Sequence, residues 1–351
     1  MNFTLYLTDD CNFNCKYCSE MHGKNYMSEE VAVKAADLAR SLSKSSAGFS
    51  FFGGEPLLCR DIIETAVKRL GGDGLFTSFK LTTNGLLLDE EFLIFAQENN
   101  IEIALSHDGI SQDKNRVDRA GEGTLAQLES KIDLLLSYQS NAVAMQTVTP
   151  QTVGEMASSV DWLYKRGFSR INTAIDCRPQ ADWDEDGLNL LQREYEKVSY
   201  LCADYALSSR PLNYLNFSSK ILAYLYDRPC LQCDFAIKQP CIAFDGYIYP
   251  CKSFIRDASY RIGNVQNGLN YKKQAELSQY SKLPQSCTDC ALNTRCRCTC
   301  PCLNYTQTGN LNEVSAVQCA HEQMTIKIAD NLASVLYRHD PNLPLKVCGR
   351  G

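Results

Sequence analysis

The sequence predicts an α/β protein in which a parallel sheet forms a partial barrel of six strand–helix units. Apolar runs typical of buried strands alternate with segments of helical periodicity over residues 1–180. Most of the strands end in a polar or glycine-rich motif, and parallel strands joined by helical crossovers place such motifs at one edge of the sheet. Six units suit a partial barrel better than the closed barrel of eight.

The strand–helix units follow one another in a regular order. The first strand contains Phe3, Leu5 and Leu7, and Ser28 begins a helix whose apolar residues recur as far as Leu42. The later segments are predicted as strand 49–52, helix 62–70, strand Phe79–Thr83, helix Glu90–Asn99, strand Ile101–Ser106, helix Leu125–Tyr138, strand Ala142–Val148, helix Val153–Arg166 and strand Ile171–Ile175.

The rest of the chain differs from the barrel in composition and in its predicted elements. An acidic stretch and tyrosine-containing helical segments follow the last barrel strand, and cysteines, glycines and short strands dominate from Cys230 onwards. Residues Ile242–Tyr249 predict a hairpin, because Asp245-Gly246 is a favoured turn between apolar flanks. The predicted domains are a barrel at 1–180, a helical bridge at 181–228, a cysteine-rich domain of one hairpin, loops and short helices at 229–330, and a C-terminal tail at 331–351.

Composition excludes several classes of function. The 351-residue chain has a net charge of −6 with both signs dispersed, which argues against nucleic acid or an anionic membrane surface as a partner. No apolar run approaches the roughly 18 residues of a membrane span, and the N-terminus lacks the features of a secretory signal. We therefore expect a cytoplasmic protein, in which 18 cysteines indicate metal binding rather than disulfides.

The most informative motif lies near the start of the chain. Cys11, Cys15 and Cys18 follow the first strand with the spacing C-x3-C-x2-C. Three thiols are an odd number for disulfides, and a zinc site usually has four protein ligands. A [4Fe–4S] cluster accepts four ligands, so three thiolates on one loop leave one iron open for a small molecule.

This spacing resembles the signature of the radical S-adenosylmethionine (SAM) enzymes. The resemblance implies that the open iron is chelated by the amino acid end of SAM. The reduced cluster then cleaves SAM to a 5′-deoxyadenosyl radical, which abstracts hydrogen from a substrate. Tyr17, just before the third cysteine, corresponds to the aromatic residue that the family places next to the adenine.

Further motifs occur at the strand ends where the family has its SAM-binding residues. They are GGEP at 53–56, TTNG at Thr82–Gly85 and SHDG at Ser106–Gly109. Paired glycines allow close backbone approach to a ligand, and an arginine fork suits the methionyl carboxylate. Beside Tyr17, the residues expected to contact SAM are Gly53, Gly54, Glu55, Pro56, Thr83, Asn84, Ser106, Asp108, Arg116 and Arg119.

A second cysteine constellation lies near the C-terminus. Gly246-x4-Cys251 is followed by Cys287-x2-Cys290-x5-Cys296-x3-Cys300 and then by Cys319. This pattern resembles the SPASM domain, the auxiliary-cluster module of radical SAM enzymes that mature peptides and proteins. The resemblance implies three [4Fe–4S] clusters in all. One auxiliary cluster would be held by Cys251, Cys300 and an upstream cysteine, and the other by Cys287, Cys290, Cys296 and Cys319.

The upstream ligands remain open at the level of sequence. Cys230, Cys233 and Cys241 all precede the hairpin turn, and spacing favours Cys233 with Cys230 as a fourth ligand, whereas Cys241 would lie inside a hairpin strand. Cys298 and Cys302 have no place in the pattern and are either alternative ligands or guides for substrate thiols. We interpret Cys59, Cys177, Cys202 and Cys348 as structural cysteines.

The resemblance implies a radical SAM oxidoreductase that installs a thioether or carbon–carbon crosslink in a ribosomally synthesised peptide. One alternative is an anaerobic sulfatase maturase, which forms formylglycine. Those enzymes typically carry an aspartate after the hairpin cysteine, whereas Lys252 stands here. A peptide epimerase is a further alternative, and a non-catalytic iron–sulfur protein is the alternative from another class.

The implied partners are a peptide with a leader segment and an electron donor such as flavodoxin or ferredoxin. The cluster motif begins at residue 11, without the N-terminal leader-recognition domain of many peptide maturases. We therefore expect leader recognition by a separate protein or by the barrel and bridge, unless no leader is needed.

Overall fold

The computed structural model describes residues 1–18, 22–44, 47–71, 74–227 and 234–350. The strands of this part of the chain are β1 (Asn2–Tyr6), β2 (Ala47–Phe52), β3 (Phe76–Thr83), β4 (Ile101–Ser106), β5 (Val143–Val148), β6 (Arg170–Ile175), β7 (Asn213–Tyr214), β8 (Cys241–Ala243), β9 (Tyr247–Tyr249), β10 (Gly263–Asn264) and β11 (Gly268–Leu269). The helices are α1 (Glu29–Leu42), α2 (Arg60–Leu70), α3 (Glu90–Glu98), α4 (Gln112–Asn115), α5 (Leu125–Tyr138), α6 (Met156–Arg166), α7 (Glu185–Tyr205), α8 (Leu215–Leu225), α9 (Tyr271–Ser278), α10 (Pro301–Thr308), α11 (Ala316–His339) and α12 (Leu343–Val347).

The first six strands form the predicted partial barrel. Each of β1 to β6 pairs in parallel with the next strand in the sequence. The sheet continues from β6 to β7 at one edge and from β1 to β8 at the other, so that its order is β11-β10-β9-β8-β1-β2-β3-β4-β5-β6-β7. The α/β prediction is therefore confirmed, and the cysteine-rich region extends the same sheet instead of forming a separate one.

Local sequence explains why the barrel elements form where they do. The Ser28 side chain accepts a hydrogen bond from the amide of Val31 and caps α1, as expected. Alternating residues of β4, Ile101, Ile103 and Leu105, are buried beneath the helices. Parallel strands covered by helical crossovers bury apolar side chains in this way, which holds the strand ends and the loops that follow them in fixed positions.

The cysteine-rich region begins with the predicted hairpin. Strands β8 and β9 pair antiparallel around Asp245-Gly246, and Gly246 has the positive φ of 79° that this turn requires. Strand β8 also pairs in parallel with β1, with Cys241 opposite Thr4. Cys241 is thus buried within a sheet strand, where we expected it. The hairpin brings Cys251, two residues after β9, close to the barrel.

One predicted boundary does not correspond to a structural break. Helix α11 continues through residues 330 and 331 and packs against α7 and α8, so the segment expected to begin a C-terminal tail is the second half of a packed helix. Its Glu322 forms a buried ion pair with Lys220 of α8, with 2.6 Å between the carboxylate oxygen and Nζ. None of the helices in the described ranges is long and apolar enough to span a membrane.

Candidate active site

The loop after β1, which carries Cys11, Cys15 and Cys18, is attached to the segment after α4 by backbone hydrogen bonds. The amide of Asn14 donates to the carbonyl of Val117 at 2.8 Å, and the amide of Lys16 donates to that of Asn115 at 2.9 Å. Backbone bonds of this kind do not depend on side-chain rotamers. The loop is therefore held by the barrel itself.

Two arginines secure the same loop from its outer side. Arg119 donates from Nε to the carbonyl of Cys11 at 2.7 Å and pairs with Asp10. Arg178, which follows β6, donates from Nη1 to the carbonyl of Cys18 at 3.2 Å and is itself paired with Asp176. Arg119 is thus engaged by the loop backbone and does not face a ligand cavity.

The two glycines of GGEP are required by close contact with the cysteine loop. A Cβ on Gly53 would lie 2.6 Å from the carbonyl oxygen of Thr8, and one on Gly54 would lie 2.1 Å from that of Asp10. The amides of Gly54 and Glu55 donate to the same two carbonyls, each at 2.8 Å. The glycines therefore let the backbone after β2 approach the cysteine loop, a contact that comes in addition to the ligand contact expected from sequence.

Glu55 is the carboxylate of this site. Its side chain is fully buried and accepts hydrogen bonds from the hydroxyl of Thr83 at 2.7 Å, the amide of Leu57 at 2.9 Å and the amide of Asn84 at 2.8 Å. Burial raises the pKa of Glu55 to about 7, because the charged form loses its hydration. A cationic ligand nearby would favour the ionised form.

Asp108 connects the cysteine loop to Arg116. It is completely buried and accepts hydrogen bonds from the Tyr17 hydroxyl at 3.1 Å and from the amide of Thr147 at 2.8 Å. It also accepts a hydrogen bond from the side-chain amide of Asn115 at 3.2 Å and forms an ion pair with Arg116, whose Nη2 lies 3.0 Å from Oδ1. The guanidinium carbon of Arg116 also lies 5.2 Å from the centroid of the Tyr17 ring, within the range of a cation–π contact. Asp108 thereby positions the side chains of Tyr17, Asn115 and Arg116.

These elements enclose a cavity of about 390 Å³, which we call the SAM cavity because residues expected to contact SAM line it. Its wall brings together most of the residues expected to contact SAM, and they are Tyr17, Gly53, Gly54, Glu55, Thr83, Asn84, Ser106 and Arg116. The three cysteines of the loop line it as well. Pro56, Asp108 and Arg119 are outside the lining: Pro56 begins the turn that leads to α2, Asp108 is behind Arg116, and Arg119 is on the outer side of the loop.

The three thiols line this cavity but do not converge on a single point. In the part of the chain that the structure describes, no three His, Cys, Asp or Glu side chains converge as a single metal ion would require. A [4Fe–4S] cluster takes one thiolate per iron and so fits thiols that are spread apart. Burial raises the pKa of Cys11 to about 12 and that of Cys15 to about 11, so the thiols bind iron with release of protons.

Comparison with known proteins agrees with this geometry. The family model of the radical SAM superfamily matches residues 5–163, which include the cysteine loop and the strand ends described above. The chain carries a radical SAM domain. Membership of this superfamily implies a [4Fe–4S] cluster and SAM as cofactors.

The similarity of this radical SAM enzyme to known proteins extends beyond that domain. A cysteine-type anaerobic sulfatase-maturating enzyme of Clostridium novyi (strain NT) is 24% identical over 83% of this chain and 82% of its own length. The radical SAM cyclopropyl synthase TigE of Paramaledivibacter caminithermalis is 22% identical over 96% of this chain and 75% of its own. The solved structure of anSMEcpe with bound AdoMet and the Cp18Cys peptide superposes with a TM-score of 0.80 at 20% identity, covering 95% of this chain and 99% of that one, which shows a shared fold.

The C-terminal cysteines of the radical SAM enzyme fall into separate groups. The thiol of Cys302 is hydrogen-bonded to Cys251 and has its Sγ 3.9 Å from that of Cys300. These bonds lower the pKa of Cys251 and of Cys300 and raise that of Cys302. Cys296 is hydrogen-bonded to Cys298 instead. Cys251 and Cys300, predicted ligands of one cluster, are thus brought together, whereas Cys230 and Cys233 lie outside the described residues.

The remaining predicted ligands are near the surface. Cys287 and Cys290 flank one turn, in which the amide of Cys290 donates to the carbonyl of Cys287, and Cys319 lies in the first turn of α11. Of the cysteines interpreted as structural, Cys59, Cys202 and Cys348 are buried. Cys177 instead lines a second cavity of about 180 Å³ between the barrel and the C-terminal region.

Two basic residues, Arg178 and Lys252, are among the residues of the site that sequence did not predict. Arg178 follows β6 at the same edge of the sheet as the other motifs, and that position was the available signal. Lys252 also lines the SAM cavity, although it lies in the C-terminal region, directly after Cys251. Its position depends on the pairing of β8 with β1, which no local pattern reveals.

Proposed function

We propose that this radical SAM enzyme modifies a peptide, and that it does so by forming an oxidative crosslink, either a thioether or a carbon–carbon bond. The observation that carries the choice of reaction is Lys252. It lines the cavity beside the cluster cysteines at the position where sulfatase maturases typically have an aspartate proposed as base. An ammonium group donates hydrogen bonds and cannot accept a proton, so this chain lacks that base.

A peptide substrate is supported by the neighbouring structures and relatives. The anSMEcpe structure contains a bound peptide and superposes over nearly the whole chain. The curated relatives include sulfatase-maturating enzymes and a cyclopropyl synthase. The second cavity shares Ala174 with the SAM cavity and extends towards the cysteine-rich region. A peptide segment bound in the second cavity would therefore lie next to the SAM cavity.

The residues of this chain have distinct parts in the proposed reaction. When bound, the cluster and SAM supply a 5′-deoxyadenosyl radical that abstracts hydrogen from the peptide. Cys11, Cys15 and Cys18 would hold the cluster. Glu55 would accept a hydrogen bond from the ammonium group of SAM, and Arg116 faces the same cavity. For each crosslink, the peptide gives one hydrogen atom to the adenosyl group and then one proton and one electron as the new bond forms.

The electron released by the peptide requires an acceptor. We propose two auxiliary [4Fe–4S] clusters in a SPASM domain, with Cys251 and Cys300 as ligands of one together with Cys230 and Cys233. Cys287, Cys290, Cys296 and Cys319 would hold the other. The contact between Cys251 and Cys300 through Cys302 supports the first assignment. An external donor such as flavodoxin or ferredoxin would supply the electron for SAM cleavage.

Formylglycine formation is the second candidate function, because sulfatase-maturating enzymes are among the relatives and the anSMEcpe fold covers 95% of this chain. That reaction oxidises one cysteine or serine side chain without joining two residues. Among the described residues that line the SAM cavity, Glu55 is the carboxylate, and its oxygens are already engaged by Thr83, Leu57 and Asn84. In this proposal Glu55 also binds the ammonium group of SAM, so it is not free to act as a base on the substrate.

The product mass tests this proposal. Reconstituted enzyme is incubated without oxygen with SAM, a strong reductant and a co-encoded peptide, and the peptide is then alkylated and weighed. A crosslink removes two hydrogens, about 2 Da, because X–H and C–H together lose two electrons and two protons. One fewer alkylatable thiol identifies a thioether, and unchanged thiols identify a carbon–carbon link.

Two outcomes would contradict the crosslinking proposal. An aldehyde on a sulfatase-type CxPxR peptide would establish formylglycine formation instead. A peptide of unchanged mass that incorporates deuterium from solvent would indicate epimerisation.

A further inference from the structure

Lys252 is held in a defined place at the wall of the SAM cavity. Its ammonium nitrogen lies 3.9 Å from the ring centroid of Phe52, the last residue of β2. Phe52 lines the same cavity and directly precedes the GGEP motif. A cation over an aromatic face at this distance is attracted by the ring quadrupole. The contact fixes the charge of a residue from the C-terminal region against the barrel.

The other charged residues of the cavity are already matched. Arg116 is paired with Asp108, and Glu55 accepts hydrogen bonds from its neighbours. Lys252 has no carboxylate within 4.0 Å among the residues that the structure describes. A partly buried cation is stabilised by an anionic hydrogen-bond acceptor, and such charge-assisted bonds are the stronger ones in proteins.

A second cation without a carboxylate partner lies along the adjoining cavity. Arg297 lines that cavity and is exposed, and its guanidinium group has no described carboxylate within 4.0 Å, although its backbone amide donates to a carboxylate oxygen of Glu322 at 2.9 Å. The other charges there, Lys220 and Glu322, neutralise each other in their buried ion pair. The charged side chains that line the two neighbouring cavities therefore have an excess of positive charge, although the whole chain has a net charge of −6.

We infer that Lys252 is a specificity-determining residue that binds a carboxylate of the peptide substrate, and that the substrate is acidic close to the residue that reacts. This inference rests on the proposed peptide-modifying function and specifies the substrate class. An aspartate or glutamate side chain would accept hydrogen bonds from the Lys252 ammonium group, with Arg297 favouring further acidic residues along the chain. The carboxylate is bound and not transformed, so no bond changes at Lys252.

Affinity selection from a peptide library tests this inference. The cluster-reconstituted, SAM-loaded enzyme is mixed without oxygen with blocked peptides that have a central cysteine and randomised flanks, and retained peptides are sequenced by mass spectrometry. For the wild-type enzyme, we expect aspartate and glutamate at one flanking position to be enriched about tenfold over asparagine and glutamine, as a charge-assisted hydrogen bond predicts. Lys252→Arg should keep this preference, Lys252→Met should abolish it, and Lys252→Glu should favour lysine and arginine.

Lys272→Glu is the matched control, because Lys272 is exposed on α9 and the substitution makes the same change in net charge. It should select the same peptides as the wild-type enzyme. The inference is overturned if the wild type retains no peptides or retains them without an acidic preference, or if Lys252→Glu keeps that preference. It is also overturned if Lys252→Met weakens SAM binding while the acidic preference persists, since Lys252 would then serve SAM.

Selection is measured by binding alone, whereas the crosslinking proposal is measured by product mass. An acidic preference without any loss of hydrogen would retain the substrate assignment and refute the crosslink. A crosslink without an acidic preference would do the opposite.

Discussion

The two cysteine-containing regions of this radical SAM enzyme are built in different ways. The N-terminal loop is fixed by backbone hydrogen bonds to its neighbours in the barrel, and its thiols line a preformed cavity. In the C-terminal region the thiols of Cys251, Cys300 and Cys302 contact one another, and the adjacent strands and helices are short. The difference teaches that the first site is made by the fold, whereas bound clusters would contribute to folding in the second.

The largest effect should follow from removing the N-terminal thiols. We expect the triple variant Cys11→Ala, Cys15→Ala, Cys18→Ala to lose all SAM cleavage and about a third of its iron, the share of one cluster in three. Because the barrel holds this loop through its backbone, the melting temperature should change little. The formation of 5′-deoxyadenosine, iron content and thermal unfolding measure these effects. Residual SAM cleavage would show that the active cluster is bound elsewhere.

A second variant tests whether the barrel alone supports the N-terminal site. Arg116→Met leaves the buried Asp108 carboxylate without its ion-pair partner, which should lower the free energy of unfolding by about 3–5 kcal/mol. Arg119→Met is the matched control, since Arg119 is half-exposed where it pairs with Asp10 and should contribute about 0–1 kcal/mol. Urea unfolding of both variants gives the comparison. Equal losses would mean that burial of the Asp108 pair does not matter.

The pH dependence of SAM binding tests the role of Glu55. The pKa of this carboxyl is raised to about 7 by burial, so it becomes protonated and neutral as the pH falls below that value. The affinity for SAM should then decrease by up to about tenfold per pH unit, because the ammonium group loses its anionic partner. Equilibrium dialysis of cluster-loaded enzyme measures the dissociation constant. The same slope in Glu55→Gln would assign the titration to another group.

The smallest expected effect distinguishes cluster ligands from neighbouring cysteines in the C-terminal region. We expect Cys300→Ala to lose about four iron and Cys302→Ala to lose none, because hydrogen bonding favours the thiolate at Cys300 and the protonated thiol at Cys302. Iron analysis after identical reconstitution distinguishes the two variants. Comparable losses from both would show that Cys302 is itself a ligand.

Sequence predicted the barrel well because its signals are local. Strand β4 and helix α5 have the predicted bounds, and β3 begins three residues earlier than expected. The cysteine-rich region was less predictable beyond its hairpin, since β10, β11 and α9 are short and lack a clear period. Short elements of this kind are determined mainly by their packing partners.

Some residues of the candidate site were likewise predictable from local motifs, and others were not. Glu55 and Asn84 were found because motifs at strand ends meet at one edge of a parallel sheet. Lys252 was not assigned to the cavity, because only the long-range pairing of β8 with β1 brings it there. The packing of the GGEP glycines against the cysteine loop was not predicted, since no sequence pattern shows that contact.

The pairing of β8 with β1 has a consequence for biosynthesis. One neighbour of β1 is complete at Phe52, but the other is complete only when Ala243 has been translated. At about 5–20 residues per second, the ribosome needs roughly 10–40 s to make the intervening segment. Throughout that time one edge of β1 has unpaired backbone groups, the feature that invites aggregation. A nascent chain would therefore depend on chaperones until its last sheet strands emerge, whereas the helices of the barrel can form as they are made.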